Sequence, residues 1–515
     1  MGSNKVFFAG LIFLILLLFK NPLSANNIIS DLEPTPDSIH YLGPLASLLS
    51  GKGLVISYQG RSIPTQVPPL YTLVLLPIYI ISHQIRFFYI TNVLLTIFSA
   101  ILFYKIVTKL FLNKIISSIL YFAFISNYVT YWYPQVAMAE NLLTPLYLSS
   151  IWLLLQPITR KKVFLVAFLA VGFFATKYIA GILSVALILV FIIKIIFSKI
   201  SKNEKKVYLL ILFSSLFVLF LSFFSKIDKT SVLESNKHTG LFSGSYLKDN
   251  LTRLIAGIMG GPMTVAGRDF IILPIIVGMS SLIAIFVNLL NAKNRLLSIY
   301  FFVSIIGTVY FISTFFVVEG RYLFEFIPAF LIIFGIFLET ICNFFNKLGR
   351  KAYSLILLCF VYIAIILNVY HPVLNQLKIN FVTGEKALNY YAIETMNSYT
   401  NKLPSFSKPI IITVLSPYLI DFYSNHKYKL LPFSKSQHFF PDGEKVWGID
   451  PKQPLLEIYK EYLLQNRQLY LSDYETSYKL RYQIDIKEIK DNFKLNLVAI
   501  GCDNRCNLYK LELKK

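Results

Sequence analysis

The chain has 515 residues, of which 56% are apolar and 15% charged, and 49 Lys and Arg against 27 Asp and Glu give it a net charge of +22. Soluble domains are about a quarter charged, so this composition argues against a soluble enzyme. An aromatic content of 16% excludes a disordered chain, because so many rings cannot stay solvated. The composition is typical of a membrane protein with many spans.

The distribution of charge argues against a nucleic-acid partner. Residues 1–370 contain 29 basic and 12 acidic side chains, whereas residues 371–515 contain 20 and 15. The basic residues of the first part lie in short loops between apolar runs rather than on one face of a polar domain. Loops of this kind are orientation signals that keep positive charge in the cytoplasm.

Eleven apolar runs approach the length that crosses about 30 Å of hydrocarbon. They lie near residues 6–20, 87–104, 115–133, 141–156, 163–176, 178–196, 207–224, 271–292, 296–317, 322–341 and 353–370. Placing Met1–Lys5 in the cytoplasm puts most of the basic loop residues on that side. The sequence predicts a polytopic α-helical membrane protein with about 11 transmembrane helices, integral to the cytoplasmic (inner) membrane.

The membrane domain is predicted to cover residues 1–370, with outer loops at 21–86 and 225–270. The first apolar segment lacks a convincing cleavage site and is expected to remain as an anchor. Pro68–Ser82 is apolar but short and contains a proline. It therefore suits an interfacial or re-entrant segment better than a span.

Residues 371–515 are predicted to form a small α/β domain on the outer face, because strand-like and helix-like runs alternate there. The strand candidates are Pro409–Leu415, His426–Leu431, Arg467–Leu471, Lys494–Ile500 and Asn507–Leu513. Cys502 and Cys506 lie between the last two strands. Outside the cytoplasm they are candidates for a disulfide that closes a turn.

Two acids near the outer ends of the apolar runs are candidates for chemistry. Asp37 precedes a helix-like run, so it is either the cap of that helix or a catalytic group. Glu140 lies where the fourth span begins, close to hydrocarbon, where a carboxylate is costly and suggests function. Its alternative role is a helix-start acid that favours the helix dipole.

Lys177 and Arg321 are basic residues at outer span ends, against the general trend of charge. Each either extends its charge to the lipid headgroups or holds an anionic lipid headgroup.

Three stretches carry a resemblance to a known family. Residues 37–54 (DSIHYLGPLASLLSGKGL) with 68–79 (PPLYTLVLLPIY), 139–155 (AENLLTPLYLSSIWLLL) and 320–335 (GRYLFEFIPAFLIIFG) resemble conserved elements of the type-C integral membrane glycosyltransferases. This superfamily includes the protein O-mannosyltransferases and the lipid A aminoarabinose transferases. The matches are spread over most of residues 30–340.

The resemblance implies a hexosyl- or pentosyltransferase (class EC 2.4) that moves a sugar, with inversion, from a polyprenyl-phosphate donor to a lipid, glycan or protein acceptor at the outer face. Asp37 would accept the acceptor hydroxyl's proton, with Glu140 as the second acid. The donor phosphate would be held by the cations Lys177, Arg321 and Arg61. The remaining pocket residues would be His40, Tyr41, Tyr71, Asn141 and Tyr322.

Other functions stay open at this stage. A transporter or flippase of lipid-linked glycans would be expected to show broken helices or charges at mid-span, and the acids here crowd at the outer edge instead. An O-antigen-type polymerase or ligase would need its long loop between late spans. No cofactor is predicted with certainty, and a divalent cation is an open alternative without a ligand cluster behind it.

Overall fold

The structure is a computed structural model, and it describes a defined set of residues. These are 3–20, 38–65, 67–83, 87–227, 262–265, 268–271, 295–312, 320–383, 388–403, 408–437, 443–476 and 482–514. Asp37 and the predicted span at 271–292 lie outside these ranges, apart from residue 271.

Helices dominate the first three quarters of the chain, and strands occur mainly towards its end. The α-helices are α1 Ser3–Leu18, α2 Ser38–Leu49, α3 Leu70–Ser82, α4 Phe88–Leu110, α5 Lys114–Ile125, α6 Tyr128–Trp132, α7 Glu140–Leu154, α8 Arg160–Thr176, α9 Gly181–Ile196, α10 Lys202–Ile227, α11 Arg295–Ile312, α12 Ile327–Lys347, α13 Lys351–Lys378, α14 Leu388–Thr400, α15 Pro417–Tyr423, α16 Gly443–Val446, α17 Leu455–Leu464 and α18 Gln483–Asn492. The strands are β1 Val55–Tyr58, β2 Arg61–Pro64, β3 Pro262–Val265, β4 Arg268–Ile271, β5 Ile410–Thr413, β6 Lys429–Pro432, β7 Leu469–Ser472, β8 Phe493–Ala499 and β9 Leu508–Leu513.

Six helical segments of the described chain are long and apolar enough to cross a membrane, or seven if the bent pair α5–α6 counts as one span. Ten of the eleven predicted runs coincide with helices, but those at 6–20, 141–156 and 163–176 correspond to helices of 16, 15 and 17 residues. These three fall short of the usual span length. Within the described residues, the structure therefore supports a multi-span protein at the level of six or seven spans, and the count of eleven stays a prediction.

The segment predicted to lie at the interface forms α3, whose 13 residues include Pro77. At about 1.5 Å per residue this helix measures roughly 20 Å, well short of the hydrocarbon thickness. Its length agrees with an interfacial position.

Contacts divide the chain into two compact units. The first unit comprises residues 1–27 and 66–384, and the second comprises 28–65 and 385–515. Residues 28–65 of the predicted first outer loop thus belong to the same unit as the C-terminal region, and the domain boundary at residue 370 stays a prediction.

In the first unit, the helices expose large apolar side chains and bury polar ones, as expected of a bundle in lipid. Exposed examples are Leu94, Phe168, Leu210, Phe360 and Leu367. Hydroxyl pairs join α7 to α11 inside the unit, where Tyr147 Oη lies 3.0 Å from Ser304 Oγ and Ser150 Oγ lies 2.7 Å from Tyr300 Oη. Such bonds hold helices together where lipid supplies no hydrophobic drive.

The second unit is built on a five-stranded sheet of order β6-β5-β7-β9-β8. β5 pairs in parallel with β6 and β7, whereas β9 pairs antiparallel with β7 and β8. All four residues of β5 are buried, as expected of a central parallel strand covered on both faces. The five strands overlap the five predicted segments.

The first outer loop enters the hydrophobic core of this sheet unit. Ile39 of α2 and Ile56 and Tyr58 of β1 belong to the same buried cluster as the residues of β5 and β7. Ile39 therefore lies on a core face of the second unit. Tyr58 Oη donates to the Val446 carbonyl at 2.5 Å. Burial raises the pKa of Tyr58 far above its ordinary value, and the Asp421 carboxylate adds to this, so the hydroxyl keeps its proton.

A buried carboxylate fixes the turn between β1 and β2. Asp421 of α15 is fully buried, and its Oδ2 accepts the backbone N–H of Gln59 at 2.9 Å and contacts His426 Nδ1 at 2.5 Å. A buried charge is stable only when it is paired and hydrogen-bonded. The pair therefore anchors the hairpin to the remainder of the second unit.

Candidate functional site

The predicted residues Glu140 and Lys177 form an ion pair inside the first unit. Glu140 is the first residue of α7 and Lys177 follows the last residue of α8, and Lys177 Nζ lies 2.6 Å from Glu140 Oε1. The Glu140 side chain is 1% exposed and the Lys177 side chain is 16% exposed. Because α7 and α8 are consecutive helices that pack together, the start of one meets the end of the other. An acid at a helix start and a cation at a helix end also match the helix dipoles.

The 3₁₀ segment Gly320–Phe326 adds two side chains to this pair. Lys177 Nζ lies 4.3 Å from the centre of the Tyr322 ring, within the range of a cation–π contact. Glu325 is 4% exposed and interacts electrostatically with both Lys177 and Glu140. We call Glu140, Lys177, Tyr322 and Glu325 the Glu140 cluster.

Among its described members, the cluster contains two carboxyl groups and one lysine. Two carboxylates share the one lysine, and within the described part of the chain Glu325 Oε2 is buried without a hydrogen-bond partner. Buried charges left unpaired are costly. The arrangement is therefore suited to change when a ligand enters, because Lys177 has alternative carboxylates and a ring beside it.

Amide side chains hold the turn that leads into Glu140. Tyr71 Oη donates to Asn92 Oδ1 at 2.8 Å, and Asn92 Nδ2 donates to the Val136 carbonyl at 3.1 Å. Asn141 Nδ2 donates to the same carbonyl at 2.8 Å. Tyr71 and Asn141 thus support the position of Glu140.

A small cavity adjoins the cluster. Its volume is about 40 Å³, and its lining includes Glu140, Asn141 and hydroxyl groups of α4, α6 and α7. This volume accommodates roughly three water molecules. The cavity can therefore keep the buried carboxylate of Glu140 in contact with water.

The other predicted site residues are distributed as follows. Arg321 lies in the 3₁₀ segment next to Tyr322, with its backbone alone described. His40, Tyr41 and Arg61 lie in the second unit, on α2 and β2. Asp37 lies outside the described residues, so its role stays a prediction. Cys502 and Cys506 form a disulfide in the turn between β8 and β9, with Cα atoms 5.3 Å apart.

Two members of this arrangement are missing from the sequence prediction. Glu325 had a visible signal, since it is an ionisable residue within an apolar run. Asn92 had a weaker one, a single amide in the apolar sequence of α4. Within the described ranges, no group of three His, Cys, Asp or Glu side chains is placed to hold a metal ion.

Comparison with known proteins shows the fold. No family model and no curated protein sequence matches the chain. Among solved structures, ArnT of Cupriavidus metallidurans bound to undecaprenyl phosphate matches with a TM-score of 0.58 and 12% identity, over 98% of this chain and 97% of that chain. The same protein in the apo state matches with a TM-score of 0.55 and 11% identity, over 98% and 97%.

A second kind of enzyme among the solved structures also matches nearly the whole chain. The apo oligosaccharyltransferase of Archaeoglobus fulgidus matches with a TM-score of 0.56 and 10% identity, over 97% of this chain and 74% of that chain. ArnT is a lipid A aminoarabinose transferase, and both proteins are type-C glycosyltransferases. The chain therefore has the type-C glycosyltransferase fold.

Proposed function

We propose that the protein is a glycosyltransferase that moves a sugar from a polyprenyl-phosphate donor to a lipid, glycan or protein acceptor at the outer face of the cytoplasmic membrane. The observation that carries the proposal is the buried pair of Lys177 and Glu140 beside Tyr322, in a chain with the type-C fold. The undecaprenyl phosphate bound to ArnT supports a polyprenyl-phosphate partner.

The proposed reaction needs a base and a cation. The acceptor hydroxyl oxygen attacks the anomeric carbon, the bond from that carbon to the phosphate oxygen breaks, and inversion results. Asp37 takes the hydroxyl proton. The polyprenyl phosphate leaves as an anion that requires positive charge rather than a proton, and Lys177 supplies it with Arg321.

Lys177 is suited to this task because of its neighbours. A lysine held by a carboxylate and an aromatic ring is kept in place before the donor arrives. Donor phosphate would then compete with Glu140 for the ammonium group. Glu140, once released, would orient the acceptor or bind a cation.

The topology of the proposal follows the charge pattern. With eleven spans, and with residues 1–5 and the basic loops in the cytoplasm, the start of α7 and the end of α8 would lie at the outer face. The Glu140 cluster would lie there with them. The second unit would then be extracytoplasmic, where a disulfide such as Cys502–Cys506 is stable.

The deciding experiment compares transfer of a radiolabelled sugar by the intact protein and by Asp37→Asn, at equal expression, in membranes that make polyprenyl-phosphate sugars. We expect the variant to lose about 10²- to 10⁴-fold in rate. The matched control is Asp31→Asn, which removes an acid from the same loop and should keep the wild-type rate. A variant as active as the wild type would return Asp37 to a helix cap and leave Glu140 as the base. Absence of transfer by every form, with several donors, would favour a transporter.

A further inference from the structure

A second cavity lies in the second unit, beside its five-stranded sheet. Its volume is about 550 Å³, and it lies between α18 and the strands β7, β9 and β8. Small-molecule sites usually measure about 300–1,000 Å³. We call it the β9 cleft and define it by the lining residues Asp473, Gln483, Lys490, Lys494, Tyr509 and Lys514.

The charge of the β9 cleft is positive. Among the described lining residues there are three lysines and one acid, Asp473. The helical period of α18 contributes to this positive charge. Gln483, Ile486 and Lys490 are spaced by three and four residues, so they share the face that lines the cleft. The acids of the same helix, Asp485, Glu488 and Asp491, are not among the lining residues.

The lining carboxylate has protein partners of its own. Asp473 Oδ1 accepts the backbone N–H of Asn507 at 2.6 Å, and its Oδ2 accepts Asn507 Nδ2 at 3.1 Å. Tyr509 interacts with the same carboxylate. These bonds use Asp473 to fix the wall of the cleft, so the lysines dominate the charge that a ligand meets.

The three lysines differ in the contacts that they make within the protein. Lys514 Nζ donates to the Asp491 carbonyl at 3.0 Å, and Lys494 lies opposite Glu512 in the β8–β9 register. Lys490 has no hydrogen bond or ion pair among the described residues, and it interacts electrostatically with Asp473 at longer range. Lys490 is therefore the cation best able to bind an anion from outside.

The chemistry of the remaining lining defines the ligand further. The half-buried side chains of Tyr509 and Ile486 supply an apolar surface, and Gln483 supplies an amide donor and acceptor. A cleft of this size exceeds the space that a lone phosphate needs. We propose that the β9 cleft binds a sugar that carries a phosphate or a carboxylate group.

This inference deepens the proposed function, because it names an anionic saccharide as the acceptor class, and in that respect it rests on the transferase proposal. Its test measures binding without transfer. Ligand-observed NMR on the intact protein in detergent would compare glucose 6-phosphate and glucuronate with glucose and with inorganic phosphate. We expect saturable binding of the charged sugars, weakened by added salt, and no saturable binding of glucose.

The variant Lys490→Gln with Lys494→Gln should weaken binding of the charged sugars at least tenfold. The matched control Lys452→Gln with Lys460→Gln removes two exposed lysines of the same unit outside the cleft and should leave binding unchanged. Absence of saturable binding by either charged sugar, or unchanged binding by the first variant, would overturn the proposal. Equal affinity for inorganic phosphate would overturn its saccharide part. A protein that binds these sugars but transfers none would contradict the transferase and leave the cleft standing.

Discussion

The two units bury carboxylates in different ways, and the difference separates a site that holds the fold from one that is prepared for a ligand. In the second unit, Asp421 accepts a backbone N–H of Gln59 and contacts His426. In the first unit, Glu140 is paired with the side chain of Lys177, which also contacts the Tyr322 ring. A backbone donor ties two elements together permanently. A lysine ammonium is a point charge that can also bind the anion of a ligand.

The largest expected effect tests whether Glu140 and Lys177 form a site that is prepared for a ligand. Lys177→Gln should lower sugar transfer by at least a hundredfold, because removing one preorganised group that stabilises developing charge costs about 10²- to 10³-fold. The measurement is the initial rate of transfer from the lipid donor at equal expression. Lys161→Gln removes an exposed lysine at the other end of α8 and should retain the full rate. A wild-type rate for Lys177→Gln would mean that Glu140 and Lys177 are a structural pair.

An intermediate effect tests whether Asp421 holds the fold of the second unit. Asp421→Ala removes the acceptor of the Gln59 amide, and losing a buried hydrogen bond to a charged group costs about 1.5–3 kcal/mol. Hydrogen exchange of residues 55–64 should then accelerate by at least tenfold. Asp450→Ala, at an exposed aspartate of the same unit, serves as the control. Unchanged exchange in the hairpin would show that its packing alone holds it.

The smallest effect concerns the disulfide. Replacing Cys502 and Cys506 by serine opens a loop of about five residues, for which chain entropy predicts a loss of about 2 kcal/mol. The bonds between Asp473 and Asn507 continue to hold the adjoining chain. We therefore expect the melting temperature of the second unit to fall by a few degrees and sugar transfer to remain unchanged. A collapse of the second unit would show that the disulfide, rather than Asp473, organises this turn.

Much of the fold could be predicted from the sequence because its signals are local. Apolar runs mark the helices, and alternating segments mark the five strands of the second unit. The location of α2 and β1 could not be predicted in this way. Ile39 and Ile56 look like residues of a membrane-surface loop, and their burial depends on a sheet formed hundreds of residues later in the chain.

The candidate site follows the same division. Glu140 and Lys177 stand out because charge is scarce in apolar runs, but no pattern shows that they meet. Their contact depends on the consecutive packing of α7 and α8. Glu325 was visible for the same reason as Glu140, and its neighbour Arg321 made it look like a simple counter-ion.

The bond between Tyr58 and Val446 spans 388 positions of the sequence, and this has a consequence for biosynthesis. Ribosomes make residues 38–65 early, whereas the sheet that covers Ile56 and Tyr58 is made last. Contacts between such distant segments form slowly and leave apolar surface uncovered in the interim. The early segment therefore stays uncovered until translation is almost finished. A nascent chain that stops before residue 410 should carry these residues exposed to proteases.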